Sequence, residues 1–394
     1  MNQMTIGRLL SSGLALSLAL IYSGLLGVEK RSVLSFVLVT SLLITLIVVS
    51  SFSTRYKKIA LGSPITDSIH GAYLIWCSIL SLLVGVIVLL VSLLYSSVIA
   101  NLAPNLLLVI FIYSIVSTFS FSLQDFLPAL GRFKTAILSD LSLVIFQLVS
   151  FVFIFSIDQL SIIVTVLLSL IFSYVIHIFS IASIILFHRK PLNILSDLRR
   201  LTRVKRLFFV SSTIHIVDRI DKVFIAFLLP LATLAQFTTM AAFFAPVKII
   251  TESATRQLYF SKTTSETEQK VRTHSAFNSL LLLVAFTLIT PYILAKLVNF
   301  FIASLLGNEW LLPTYLVALY FINEVIRGLY LYLTNYRITE NKYQYSRKAP
   351  ISLLILSIVL VPISVLHFGL IGALIAMITS YGLVLTGLKF AHAF

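Results

Sequence analysis

Residues 7–52 read GRLLSSGLALSLALIYSGLLGVEKRSVLSFVLVTSLLITLIVVSSF, and this stretch decides the fold. It holds two apolar runs, 7–27 and 32–52, parted only by Val28, Glu29, Lys30 and Arg31. About 20 apolar residues are needed to cross a ~30 Å hydrocarbon core as a helix. Each run has that length, and neither shows the ten-residue alternation of a barrel strand. In lipid every backbone N–H and C=O must be paired internally, so each run is expected to be a helix. The first run follows Arg8 as a signal peptide would. It lacks a small-residue cleavage site and a second run follows at once, so it is expected to be retained.

The pattern repeats along the chain. Of 394 residues, 59% are hydrophobic and 11% charged, far from the roughly 25% charged residues of a soluble domain. Twelve spans are expected: 7–27, 32–52, 71–95, 104–124, 138–157, 162–187, 207–229, 232–250, 275–298, 312–333, 350–366 and 369–390. The fold class is thus an all-α integral membrane protein. Of 29 Lys and Arg, five fall in spans away from the chain termini and two, Lys30 and Arg31, on the side opposite the termini. The other 22, with Arg8 and Lys389 at the terminal ends of the first and last spans among them, share the side of both termini, which Lys/Arg bias marks as cytoplasmic. The net charge of +15 is therefore a topology signal facing anionic lipid, and nucleic-acid binding is not expected. The single Cys77 excludes an internal disulfide or a cysteine metal site.

The connections are too short to fold a domain, so function must lie within the helices. A basic connection after span 2 (53–68) recurs after span 8 (251–273), and one after span 4 (131–134) recurs after span 10 (336–342). This rhythm predicts two six-helix bundles of like orientation, 1–188 and 206–394, joined by a basic cytoplasmic linker, 189–205, with pseudo-two-fold symmetry about the membrane normal.

Ionisable residues inside spans cost about 2.5–3.5 kcal/mol each on insertion scales, so they mark function by default. Span 7 carries Asp218, Arg219, Asp221 and Lys222 near its middle. At 100° per residue Ser211, His215, Asp218, Asp221 and Lys222 form one stripe, with Asp218 and Lys222 spaced to pair. Span 10 places Tyr320, Glu324 and Arg327 on one face with Asn323 beside it, and span 8 adds Gln236, Lys248 and Glu252. The plainer reading is interhelical pairs that fix register. So many groups in one half suit a hydrated, largely cationic lumen better. Lys296 reads as a snorkelling anchor, and His177 and His367 as packing or interface residues. Tyr22, Tyr113 and Tyr174 read as packing residues of the first half, whereas Pro246, Pro291 and Pro362 are expected to interrupt spans 8, 9 and 11.

Three stretches resemble a known family. They are Leu25-Leu26-Gly27-Val28-Glu29-Lys30-Arg31; Asp221-Lys222-Val223-Phe224-Ile225-Ala226-Phe227-Leu228, followed by Leu234-Ala235-Gln236-Phe237; and Phe368-Gly369-Leu370-Ile371-Gly372-Ala373. With span number and loop rhythm, they are similar to the Wzx-type flippases of the MOP (MATE-like) exporter superfamily. That resemblance implies two six-helix bundles in a V around a central cavity. It implies transfer of an undecaprenyl-pyrophosphate-linked oligosaccharide, such as an O-antigen repeat unit, from the cytoplasmic to the periplasmic leaflet of the bacterial inner membrane. Polysaccharide polymerase and assembly proteins would be partners, and no enzymatic step or cofactor is implied. For such a cargo, Arg219, Lys222, Lys248 and Arg327 would bind the pyrophosphate, and Asp218, Asp221 and Glu324 would bind a coupling H⁺ or Na⁺. A MATE-like drug/cation antiporter is the rival reading, expected to have an acidic cavity. A membrane glycosyltransferase or polymerase would need the sizeable outer loop that this chain lacks.

Overall fold

The computed structural model describes residues 3–62, 67–94, 105–123, 133–157, 161–186, 201, 213, 216–217, 219–245, 291–339 and 343–390. Ten helices carry nearly all of them: α1 Gln3–Gly62, α2 Asp67–Leu93, α3 Leu106–Leu123, α4 Phe133–Ile157, α5 Ile162–Leu186, α6 Ile220–Leu228, α7 Leu231–Phe243, α8 Pro291–Leu306, α9 Thr314–Thr339 and α10 Tyr343–Phe390. A single 3-10 turn, Asn308–Trp310, lies between α8 and α9. Among the described residues six helices are long and apolar enough to cross a membrane, and α7 and α8 are shorter apolar helices. The protein is all-helical, as the apolar runs require.

Two of the six crossing stretches, Leu9–Val49 and Lys348–Gly387, hold 41 and 40 residues. At 1.5 Å per residue each would be about 60 Å long if straight, twice the hydrocarbon thickness. Both are broken at a glycine. Gly27 has φ 67°, ψ 171° and Gly369 has φ 59°, ψ −136°, regions in which a side chain is strained. In α10 the break reverses the chain, because a Cβ placed on Gly372 would collide with the carbonyl of Ser364. Eight residues of straight helix would hold those positions about 12 Å apart.

The breaks correct two expectations. Val28 to Arg31 are not a loop: they are helical, and the discontinuity is confined to Gly27. These residues are ordinary helix formers, and only the glycine tolerates positive φ. Arg31, expected on the outer surface, is 6% exposed. Pro362 lies inside α10 without breaking it; the non-helical residue is Gly369. Span 9 was expected to end at Val298, yet α8 continues to Leu306. Pro246 lies outside the described residues.

The chain divides into two compact units. The first comprises Met1–Leu18 and Leu25–Ile216, the second Ala19–Gly24 and Val217–Phe394. In the first unit α2 packs on α3, and α5 packs on both α3 and α4. Apolar area supplies little attraction between helices in lipid, so packing and hydrogen bonds join them. Thr45 bonds Thr118 at 2.7 Å and Ser120 bonds His177 Nδ1 at 2.8 Å, all four residues buried. Tyr56 stacks on Tyr73 with centroids 4.1 Å apart and shares a hydrogen bond with His70 Nδ1 at 2.7 Å. Leu201, from the stretch expected to be a linker, is fully buried in that cluster with Tyr73, Cys77, Leu123, Ala136 and Ile181. The outward face of α4 presents Leu138, Val149, Val152 and Phe153, the side chains a lipid-facing helix needs.

In the second unit α10 packs on α6 and α9, α8 on α9, and α6 on α7. Gly24 of α1 meets Leu306 of α8, and Ser23 Oγ lies 3.3 Å from Thr239 Oγ1 of α7.

Candidate functional site

The ionisable residues of the second unit gather where α6 and α9 approach α7. Span 7 was expected to be one helix from 207 to 229. Residues 216 and 217 are helical, but Arg219 has φ −129°, ψ −3°, caps no amide with its side chain, and α6 begins after it at Ile220. Asp221 therefore sits in the first turn after that break. Lys222 follows it.

On α9 the helical repeat puts Tyr320, Glu324 and Arg327 on one stripe. Arg327 Nη1 donates to Glu324 Oε2 at 2.8 Å. The Tyr320 hydroxyl hydrogen-bonds the Glu324 side chain and lies within electrostatic reach of Asp221 and Arg327. The Tyr320 ring is held from α7 by Phe237, edge-on at 5.2 Å, and from the residue after α7 by Phe244 at 5.5 Å. Phe244 also contacts Phe321, at 5.6 Å. The cluster is deeply buried: Asp221 is 5% exposed, Lys222 9%, Glu324 6% and Arg327 7%. An ionised group so far from water is tolerable only with a partner, and removing one member leaves the other uncompensated.

Among the predicted site residues, the structure brings Asp221, Glu324 and Arg327 together around Tyr320 and buries Lys222 on the same short helix. Arg219 is half-buried at its start. Asp218 and Lys248 lie outside the described residues, as does the predicted pairing of Asp218 with Lys222. Sequence reasoning placed Asn323 beside the stripe but gave it no role. It is 2% exposed and its Oδ1 has no hydrogen-bond partner among the described residues, an acceptor left open beside the ion pair. The aromatic wall of Phe237 and Phe244 was not foreseen, since phenylalanine is common in every span and only the packing of α7 singles these two out.

Polar ties brace the end of the unit away from Arg327. Gln236 Nε2 donates to the Glu309 carbonyl at 2.8 Å, and Asn299 Nδ2 donates to the Leu312 carbonyl at 2.8 Å. Trp310 is buried between them in sequence, 1% exposed. Lys296, read as a snorkelling anchor, is exposed and lies 4.8 Å over the ring of Tyr292. His177, read as a packing residue, is buried and bonded to Ser120. The arrangement holds charge of both signs and an open amide oxygen in a dry aromatic frame, which suits binding a charged polar group. Among the described residues no group of three metal-ligating side chains is found.

No protein-family model matches the sequence, and no curated relative does either. Solved structures do match over nearly the whole chain. The lipid II flippase MurJ, in an inward closed conformation, aligns with a TM-score of 0.69 at 12% identity, over 99% of this chain and 87% of that one. The Vibrio cholerae MATE transporter VcmN aligns at 0.68 and 14% identity, over 99% and 95%. A MOP superfamily transporter from Pyrococcus furiosus aligns at 0.58 and 16% identity, over 99% and 93%. At these identities the likeness is one of fold: this chain folds as the MOP superfamily transporters do.

Proposed function

We propose that the protein is a flippase for a lipid-linked oligosaccharide. Its cargo is an undecaprenyl-pyrophosphate-linked glycan, an O-antigen or related surface-polysaccharide repeat unit, carried from the cytoplasmic to the periplasmic leaflet by alternating access. No covalent bond is made or broken. One observation carries the reading: the buried cluster of Asp221, Lys222, Glu324 and Arg327, with Arg219 at its edge, in a fold similar to that of a lipid II flippase. Among these residues cations outnumber carboxylates three to two.

A pyrophosphate-linked glycan has an anionic, polar head and a long apolar tail. The tail can stay in lipid, but the head needs a polar path through the low-dielectric core. Arg327 is suited to bidentate contact with a phosphate and Lys222 to neutralising it as a point charge. Asn323 Oδ1 offers an acceptor to a sugar hydroxyl or amide N–H. Asp221 and Glu324 are the carboxylates through which H⁺ or Na⁺ exchange would couple. The expected result is that Lys222→Gln, and Arg327→Gln combined with Glu324→Gln, each abolish surface-glycan display at normal membrane protein levels. Unchanged display in both would sink the reading.

The MATE neighbours and the two buried carboxylates favour one rival, a drug/cation antiporter. A cationic dye separates the two. The antiporter would expel it in a manner that needs Glu324 and is indifferent to Lys222, whereas the flippase leaves dye accumulation unchanged.

A further inference from the structure

The Glu324–Arg327 pair supports a statement about how the site is regulated, and it rests on the flippase reading. Arg327 is already engaged, at 2.8 Å, by a carboxylate three residues away on its own helix. An incoming phosphate therefore meets a guanidinium whose charge Glu324 already offsets, and the two anions compete for it. We propose that Glu324 is a stand-in for the substrate's phosphate: it neutralises Arg327 in the empty site, and on substrate binding it yields Arg327 and takes up one proton.

The proton follows from burial. A carboxylate separated from the guanidinium at 6% exposure loses that counter-charge without regaining water. It would also face the arriving phosphate and the carboxylate of Asp221, whose field reaches the same Tyr320. Two like charges sharing a buried site do not both stay ionised. Neutralisation needs only a proton from solvent placed on the carboxylate; Tyr320, its hydrogen-bond partner, keeps its own proton and can still donate to the neutral acid.

Among the described residues the groups around Glu324 are few. From α6 come Asp221, which favours its protonation, and Lys222, which opposes it. On α9 itself are Tyr320, Arg327 and Tyr330, the last tilted against Tyr381 of α10 with ring centroids 5.4 Å apart. On α8, Lys296 and Tyr292 are exposed and engage each other, and α7 carries no titratable residue. His367 and Lys348 of α10 are exposed. Among the described residues Asp221 is thus the other carboxylate near enough to take the proton instead.

The test uses the full-length protein in detergent, with farnesyl pyrophosphate as the probe and a pH-indicator dye in weak buffer. Wild type is expected to take up about one proton per probe bound, so that affinity rises roughly tenfold per unit fall in pH where Glu324 titrates. Glu324→Gln should bind with an affinity that pH does not change and take up no proton. Binding by wild type without proton uptake overturns this inference and leaves the flippase reading standing. Proton uptake that survives in Glu324→Gln also overturns it, because another group then takes the proton. Absence of binding, or binding that Arg327→Gln leaves unchanged, overturns the inference together with the reading it rests on.

Discussion

Arg327 sits beside a carboxylate that has no water to fall back on. Arg327→Gln alone should therefore cost about 3–5 kcal/mol, because Glu324 stays buried and uncompensated. The double substitution Glu324→Gln with Arg327→Gln should recover most of that stability in detergent unfolding and still display no glycan. That pattern separates folding from transport; a double variant as unstable as the single one would contradict the pairing. A second buried pair tests the other unit. Ser120→Ala strips His177 Nδ1 of its partner while Nε2 has none among the described residues, and should cost about 1–3 kcal/mol. Adding His177→Leu should return the melting temperature to within a degree or two of wild type, since both polar groups are then gone. At this scale the sequence was informative where a helix supplies the neighbours. Tyr320, Glu324 and Arg327 could be phased from spacing alone, whereas Tyr320 meeting Phe237, or His177 meeting Ser120, depends on which helices pack together.

Helix ends follow a different logic. Hydropathy located α3, α4 and α5 to within a few residues, because the lipid sets their length and composition together. It misplaced the turn at residues 28–31 because charge was taken as the sign of a loop. A buried Arg31 can stay in a helix, whereas the positive φ of Gly27 cannot be borne by another residue without strain. The short helix α6 escaped notice for the related reason that nothing in the composition of 207–229 signals the non-helical backbone at Arg219. The α10 hairpin makes these local demands testable. Gly372→Ala sets a methyl against the Ser364 carbonyl and should lower stability by about 1–3 kcal/mol, seen as a drop in melting temperature. Gly382→Ala, on the same helix with open space around it, should leave the melting temperature unchanged.

For the molecule as a whole, the charge bias predicts a topology that labelling can check. Cys77 is buried, so a membrane-impermeant maleimide meets a silent background. Asn308→Cys should label in spheroplasts from outside. Asn341→Cys should label only in inverted vesicles; the reverse result would turn the protein over and move the basic connections to the periplasm. One further property concerns time. Six residues of the first helix, Ala19–Gly24, belong with the second unit, and Ser23 finds Thr239 across 216 residues of sequence. At about 5–20 residues per second, the ribosome reaches Thr239 some 10–40 s after Ser23 has emerged. For that interval Ala19–Gly24 lacks the second-unit surface it joins in the finished protein, while the Ser23 hydroxyl donates to the Ala19 carbonyl of its own helix. The packing of α1 is thus completed only after more than 200 further residues are made, and a nascent chain stalled before α7 would hold that helix in a state that the finished protein never visits.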